Sequence, residues 1–156
     1  MAERLTACIS GSFKFKPEID SLIDEFADYG VTVLEPTKGW LYVPGILKEP
    51  VGTFKPLPQE VGMDASQVER RFLSAIARAH FVYLHNQSGY LGVMSSLELG
   101  FTIGKNKPIF AREPITLENF ENDLATYEAA RAHVAIATPF EAAEAVHAYY
   151  GTTAST

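Results

Sequence analysis

The sequence predicts an α/β fold: a single doubly wound domain with a five-stranded parallel sheet in the flavodoxin- or Rossmann-like order 2-1-3-4-5. Three observations carry that expectation. Five short apolar runs alternate with amphipathic stretches along the chain. The first strand–loop–helix–strand unit closes in about 30 residues, the length of a right-handed crossover. The whole chain, at 156 residues, suits one domain of this kind and is short for two.

Each element has its own justification. Leu5-Thr6-Ala7-Cys8-Ile9 reads as a central strand, short and largely apolar. Ser10-Gly11-Ser12 breaks it, and a helix follows from about Pro17 to Tyr29. Pro17 fits a first helical turn, Glu18 and Asp20 suit its positive end, and Ile19, Leu22, Ile23 and Phe26 form one apolar face. Gly30 stops the helix, and Val31 to Leu34 make the second strand. Further on, Asp64-Ala65-Ser66-Gln67 resembles a capping box ahead of Val68, Phe72, Leu73, Ile76 and Ala77. Phe81 to Leu84 is the third strand, Ser95 to Gly104 the next helix, and Pro108 to Ala111 the fourth strand. Leu117 to Ala132 reads as largely helical and Val134 to Ala137 as the fifth strand. Thr138-Pro139-Phe140-Glu141 then opens the last helix with a threonine cap, a first-turn proline and a glutamate three residues on.

From Glu35 to Met63 the periodicity dissolves. Five prolines (Pro36, Pro44, Pro50, Pro56, Pro58) and four glycines (Gly39, Gly45, Gly52, Gly62) punctuate a segment longer than most connections. It is either a cover over a site or an excursion whose regular parts leave no sequence signal. Trp40, Tyr42 and Phe54 favour a folded segment over disorder, because aromatics seek burial.

Composition narrows the function. A hydrophobic share of 47% supports a real core, and a charged share of 21% leaves apolar surface for a second copy, so a homodimer or higher homo-oligomer is expected. The net charge of -6 argues against a nucleic-acid polymer as the partner, while leaving room for a local pocket that takes one phosphate. Cys8 is the single cysteine and reads as core packing in a reducing compartment. No basic segment precedes an apolar one at the start, so a cytoplasmic location is expected, and the uncharged stretch from Ala79 to Leu97 is too interrupted to span a membrane. His80, His85, His133 and His147 are scattered without metal-ligand spacing, so no metal is expected. The first loop lacks the GxGxxG spacing of a dinucleotide fold, and no cofactor is expected.

With strands one and three side by side, the loops Ser10 to Lys16 and His85 to Ser95 line one crevice beyond the carboxyl ends of the strands, where open α/β sheets bind ligands. Glu98 lies at the far side of that crevice and admits two readings. Ser95-Ser96-Leu97-Glu98 is itself a capping box, in which the glutamate only stabilises a helix start. Alternatively, a helix N-terminus keeps the carboxylate ionised, as a nucleophile requires. Such a nucleophile is matched to a sugar anomeric carbon, where positive charge builds as the leaving group departs. Ser10, Gly11 and Ser12, with Lys14 or Lys16, either hold a phosphate or sugar hydroxyls or simply turn the chain into a helix. Phe13 can stack on a base. Ser88, Tyr90 and Ser95 are candidate polar contacts, and Gly89 and Gly92 allow close backbone approach. Trp40 and Tyr42 either sandwich a flat ring or form the private core of a lid.

Taken in order, Ile9-Ser10-Gly11-Ser12-Phe13, then Gly89-Tyr90-Leu91-Gly92-Val93-Met94-Ser95-Ser96-Leu97-Glu98-Leu99-Gly100 and Gly104-Lys105-Asn106-Lys107-Pro108-Ile109 resemble the nucleoside 2-deoxyribosyltransferase family, which includes the 2'-deoxynucleoside 5'-phosphate N-hydrolases. The resemblance runs from about Thr6 to Phe110. It implies one domain over residues 1–156 with a long active-site loop at about 35–63. It also implies a nucleoside or nucleotide substrate in nucleotide salvage. Glu98 would attack the anomeric carbon and form a glycosyl-enzyme ester, which water hydrolyses or a second base intercepts. The alternative is a nucleotide-sensing module that binds without cutting. The family's second acid, on the helix before the third strand, falls at Phe72 here, and Glu69 a helical turn earlier can take its place, or stand as a solvated acid beside Arg70 and Arg71. The acid just before that strand is replaced by His80.

Overall fold

Burial along the first strand, β1 (Leu5–Gly11), sorts the molecule into layers. Leu5, Ala7 and Ile9 pack on one face with Ile19, Leu22 and Phe26, whereas Cys8 packs on the other with Phe72, Ala75 and Ile76. Side chains two apart on a strand share a face, so a strand apolar at both parities must be covered on both sides. The computed structural model describes residues 4–37, 41–44, 52–55 and 65–151.

The remaining elements are α1 (Lys16–Asp28), β2 (Val31–Glu35), β3 (Leu41–Pro44), β4 (Gly52–Lys55), α2 (Ala65–Arg78), β5 (Phe81–His85), α3 (Val93–Gly104), β6 (Ile109–Ala111), α4 (Leu124–Arg131), β7 (Val134–Ile136) and α5 (Pro139–Tyr150). The main sheet runs β2-β1-β5-β6-β7, all parallel. Counting only its own strands, that is the order 2-1-3-4-5 expected from the alternating pattern. Helices α1 and α5 cover one face, through Phe26 and Val146 against Phe81 and Tyr83. The other face carries α2, α3 and α4: Val82 meets Phe72 and Ile76, and Leu84 meets Leu99 and Ala130.

The structure adds detail at two places and moves one boundary. The segment after β2 has a regular part: β3 and β4 form an antiparallel hairpin, with Tyr42 opposite Phe54. Four-residue strands rich in Pro and Gly carry too little alternation to be read from sequence. The stretch from Leu117 to Ala132 is two pieces. A 3-10 turn, Leu117–Phe120, is closed by a Thr116/Asn119 box, and Glu121 and Asn122 then take positive φ (53° and 64°) before Asp123 caps α4. Finally, α3 starts at Val93 with Gly92 as its cap, two residues ahead of the expected Ser95. The Thr138/Glu141 capping box does open α5, with both reciprocal hydrogen bonds formed. Asp64 lies outside the described residues, so its capping role has no structural counterpart here.

Candidate active site

The register of β1 on β5, Ala7 opposite Phe81 through Gly11 opposite His85, brings the two candidate loops to one end of the sheet. Gly11 leaves little room at the junction. A Cβ there would stand 3.1 Å from the His85 carbonyl oxygen and 3.1 Å from Ile19 Cδ1, tight enough that these neighbours would have to give by a few tenths of an ångström. A cavity of about 260 Å³ opens beside it, lined by residues of both loops and of helices α1, α2 and α3.

Glu98 lies in the wall of this cavity and is 5% exposed. It is the sixth residue of α3, in the second turn, so the Ser95–Glu98 capping box does not form. Its carboxyl instead accepts a hydrogen bond from buried Ser10 Oγ to Oε1, at 2.5 Å across the crevice. On its other side it hydrogen-bonds the Glu69 carboxyl, which α2 brings into the same cavity. The expectation that the helix end holds Glu98 ionised is therefore overturned. Burial first, then Glu69 beside it, push Glu98 well above the ordinary carboxylate range, and the Ser10 hydroxyl only partly opposes them. Burial also raises Glu69, with the hydrogen bond to Glu98 acting against that rise. Two carboxyls that interact in this way resist ionising together.

The other candidates divide into those at the cavity and those beside it. Gly11, Ser12, Tyr90, Gly92 and Ser95 line the cavity, and Ser10 reaches it through Glu98. Lys14 is exposed, its Nζ 3.4 Å from the centre of the Tyr90 ring, a cation–π contact at the cavity edge. Ser88 and Gly89 do not line the cavity. They form a left-handed turn (φ 58° and 74°) tied outward, Gly89 N donating to Glu113 Oε2 and Gly89 O accepting from Asn119 Nδ2. Trp40 and the side chains of Phe13 and Tyr42 lie outside the described residues.

Sequence reasoning missed Asp20, which lines the cavity and pairs with Lys16 at 2.5 Å, having looked like an ordinary helix-start acid. It also missed Pro36 and Thr37, which line the wall just beyond β2. A ligand-facing position straight after a strand end was the signal available for these two.

Burial pushes the Cys8 thiol up to about 12, so it holds no thiolate near neutrality. A larger hollow, of about 700 Å³, opens between α1 and α5 around Arg112. Three of its acids are engaged elsewhere: Glu25 with the Tyr29 hydroxyl, Glu113 with Gly89 N and Glu141 with the Thr138 amide. Among the described residues no cluster of three or more His, Cys, Asp or Glu side chains is arranged to hold a metal ion. No helix there is long and apolar enough to cross a membrane.

The fold and this crevice define a class: doubly wound α/β proteins with a carboxyl-lined cavity at the carboxyl ends of the strands. Two solved structures share the architecture. The Clostridium botulinum CMP N-glycosidase BcmB superposes with a TM-score of 0.51 at 13% identity, over 92% of this chain and 98% of that one. A conserved protein from Enterococcus faecalis V583 superposes with a TM-score of 0.59 at 9% identity, over 94% of this chain and 99% of that one. At such identities the likeness is one of fold. No protein-family model matches the sequence, nor does any curated protein sequence.

Proposed function

We propose that this protein cleaves the N-glycosidic bond of a nucleoside or nucleoside 5'-phosphate through a glycosyl-enzyme ester, with Glu98 as nucleophile and Glu69 as its proton partner. The observation that carries this reading is the pairing of half-buried Glu69 with buried Glu98 in the wall of a cavity at the carboxyl ends of β1 and β5. The fold shared with an enzyme described as a CMP N-glycosidase supports it.

The chemistry follows from one proton distributed over two carboxyls. With the proton on Glu69, a Glu98 carboxylate oxygen bonds to the sugar C1', while the C–N bond breaks and its electron pair passes to the base. Glu69 delivers its proton to the departing base. Water then attacks C1', Glu69 takes a proton from it, and the Glu98 ester oxygen leaves as carboxylate. The sum is nucleoside plus water giving sugar plus base. A second base in place of water gives transfer, and the outcome depends on how fully water is kept out. Ser10 stabilises the ionised form of Glu98 through its donated hydrogen bond.

A homo-oligomer remains part of this reading. Val93, Met94 and Leu97, 90%, 44% and 55% exposed, form an apolar stripe on α3 beside the cavity for a second copy to cover.

The test is chromatographic assay of base release and base exchange across a nucleoside and nucleotide panel, with intact-protein mass spectrometry. Wild type is expected to release base and to show a glycosyl adduct on Glu98. Glu98→Gln and Glu98→Ala should lose turnover by about 10³-fold or more, the scale of removing a covalent nucleophile. Turnover unchanged in both variants sinks the mechanism. Saturable nucleotide binding without product assigns the cavity to sensing.

A further inference from the structure

Lys16 and Asp20, in the first turns of α1, line the cavity that Glu98 lines from α3. Lys16 Nζ donates to Asp20 Oδ2 at 2.5 Å, and the two side chains are 19% and 29% exposed. Both are thus open to solvent within the wall, yet far from fully solvated. The other acids of α1 lie elsewhere. Glu18 and Glu25 line the separate hollow around Arg112, and Asp24 and Asp28 are exposed. A pair four residues apart on an open helix surface contributes little to stability, so this one invites a reading in terms of the cavity.

Charge decides what this wall admits. Among the described residues, the Lys, Arg, Asp and Glu side chains lining the cavity are Lys16, Asp20, Glu69 and Glu98. Lys16 is the cation of that set, and Asp20 holds it. A nucleophilic Glu98 is ionised whatever the state of its neighbour. The starts of α1 and α3 each add about half an elementary positive charge, which at most offsets that carboxylate. No positive surplus is left for a phosphate monoester, which carries about 1.5 to 2 negative charges near neutrality.

We propose that Asp20 is a specificity-determining residue: by engaging Lys16 in the cavity wall it withholds the ammonium from a 5'-phosphate and directs the site to uncharged nucleosides. This rests on the glycosidic reading above and narrows its substrate class. The device works by repulsion. To use Lys16, a phosphate must displace Asp20 and leave a half-buried carboxylate beside it without its cation. An uncharged nucleoside leaves the pair intact and meets no such penalty. Without the charge on Asp20, the same lysine becomes a phosphate-binding cation.

The experiment measures base release from ribonucleosides, 2'-deoxynucleosides and their 5'-monophosphates, for wild type and four variants. Wild type is expected to favour the nucleoside of each pair by about tenfold or more in kcat/KM. The preference should narrow between about 0.1 M and 1 M salt, as the Debye length falls from about 10 Å to about 3 Å. Asp20→Asn, which keeps the shape and loses the charge, should raise kcat/KM on 5'-phosphates about tenfold and erase the preference. Asp20→Glu should keep the preference, and Lys16→Met should widen it. In the double variant Lys16→Met/Asp20→Asn the gain on phosphates should vanish. In parallel, calorimetry on Glu98→Gln, with and without Asp20→Asn, reads the preference from binding alone. Base release that is lost in Glu98→Gln, with a preference that Asp20→Asn leaves untouched, overturns the role of Asp20 and leaves the nucleophile standing. A binding preference that Asp20→Asn erases, with no base release from wild type, supports Asp20 and removes the glycosidase. A wild type that favours the 5'-phosphates, or binds neither kind, overturns the inference outright, as does a preference that salt leaves unchanged.

Discussion

Glu98 shows how much a single residue's meaning depends on where its helix begins. With a start at Ser95 it would be a capping side chain in the first turn, whereas the start at Val93 sets it in the second turn, against Ser10 and Glu69. The consequence is a pH profile with two limbs. Below the first macroscopic step both carboxyls are protonated and no nucleophile exists, and above the second both are ionised and the leaving base has no acid. Ser10 donates to Glu98 and favours its ionised form, so Ser10→Ala should raise the acid limb of kcat/KM. Glu69 pushes Glu98 up through both its hydrogen bond and its charge, so Glu69→Gln should move that limb down. Glu69→Gln should also remove the alkaline limb, since the group that loses its proton there is gone. Stopped assays from pH 4 to pH 9 read both shifts, and opposite signs for the two variants are the expected outcome.

At the scale of elements, the loop between β5 and α3 is held by side chains far from it in sequence. The Asn86 amide donates to Glu113 O at 2.7 Å and accepts from Glu113 N at 3.0 Å, stitching the end of β5 to the chain beyond β6. The Glu113 and Asn119 side chains then fix the Gly89 turn that precedes Tyr90 and Gly92 in the cavity wall. Replacing Asn86, which is 1% exposed, with alanine leaves the half-buried Glu113 N–H and C=O without these partners. The expected loss is about 2–3 kcal/mol, or a fall in Tm of about 5–10 °C by calorimetry. Asn119→Ala, partly exposed, should leave Tm nearly unchanged. The contrast explains what was legible in advance. Strand parity at Leu5, Ala7 and Ile9, the proline and glycine at the ends of α1, and the Thr138/Glu141 box are local signals, so the sheet order and the convergence of the Ser10 and Glu98 segments could be read from them. The start of α3 could not, because Gly92 caps it without a side-chain oxygen while Ser95 and Ser96 mimic a cap. Nor could the Asp20–Lys16 pair, whose significance is spatial.

For the whole molecule, a buried carboxyl pair makes folding stability depend on pH in a direction opposite to most acids. The folded pKa values of Glu98 and Glu69 lie above their unfolded values, so the native state binds the extra proton. Stability is then fully present at low pH and is lost as pH rises through the folded pKa of the pair. His85 works the other way: burial lowers it, so its contribution grows as pH rises toward the ordinary histidine range, about 6.5, and is constant above. Buried Cys8 and Tyr83, both pushed up to about 12, begin to cost stability only near and above their ordinary values of 9.0 and 10.0. Above the ordinary carboxylate value of 4.5 the pair therefore lowers Tm as pH rises, opposed by His85 up to about 6.5. Glu98→Gln keeps a neutral, hydrogen-bonding side chain of the same shape and removes the titration. The variant should melt higher than wild type at pH 8.5, by about 2–4 °C for each kcal/mol of relieved burial, with the gap narrowing toward pH 5. A Glu98→Gln curve parallel to that of wild type would show that the pair is not protonated in the folded protein, and the proton delivered by Glu69 would then lose its source.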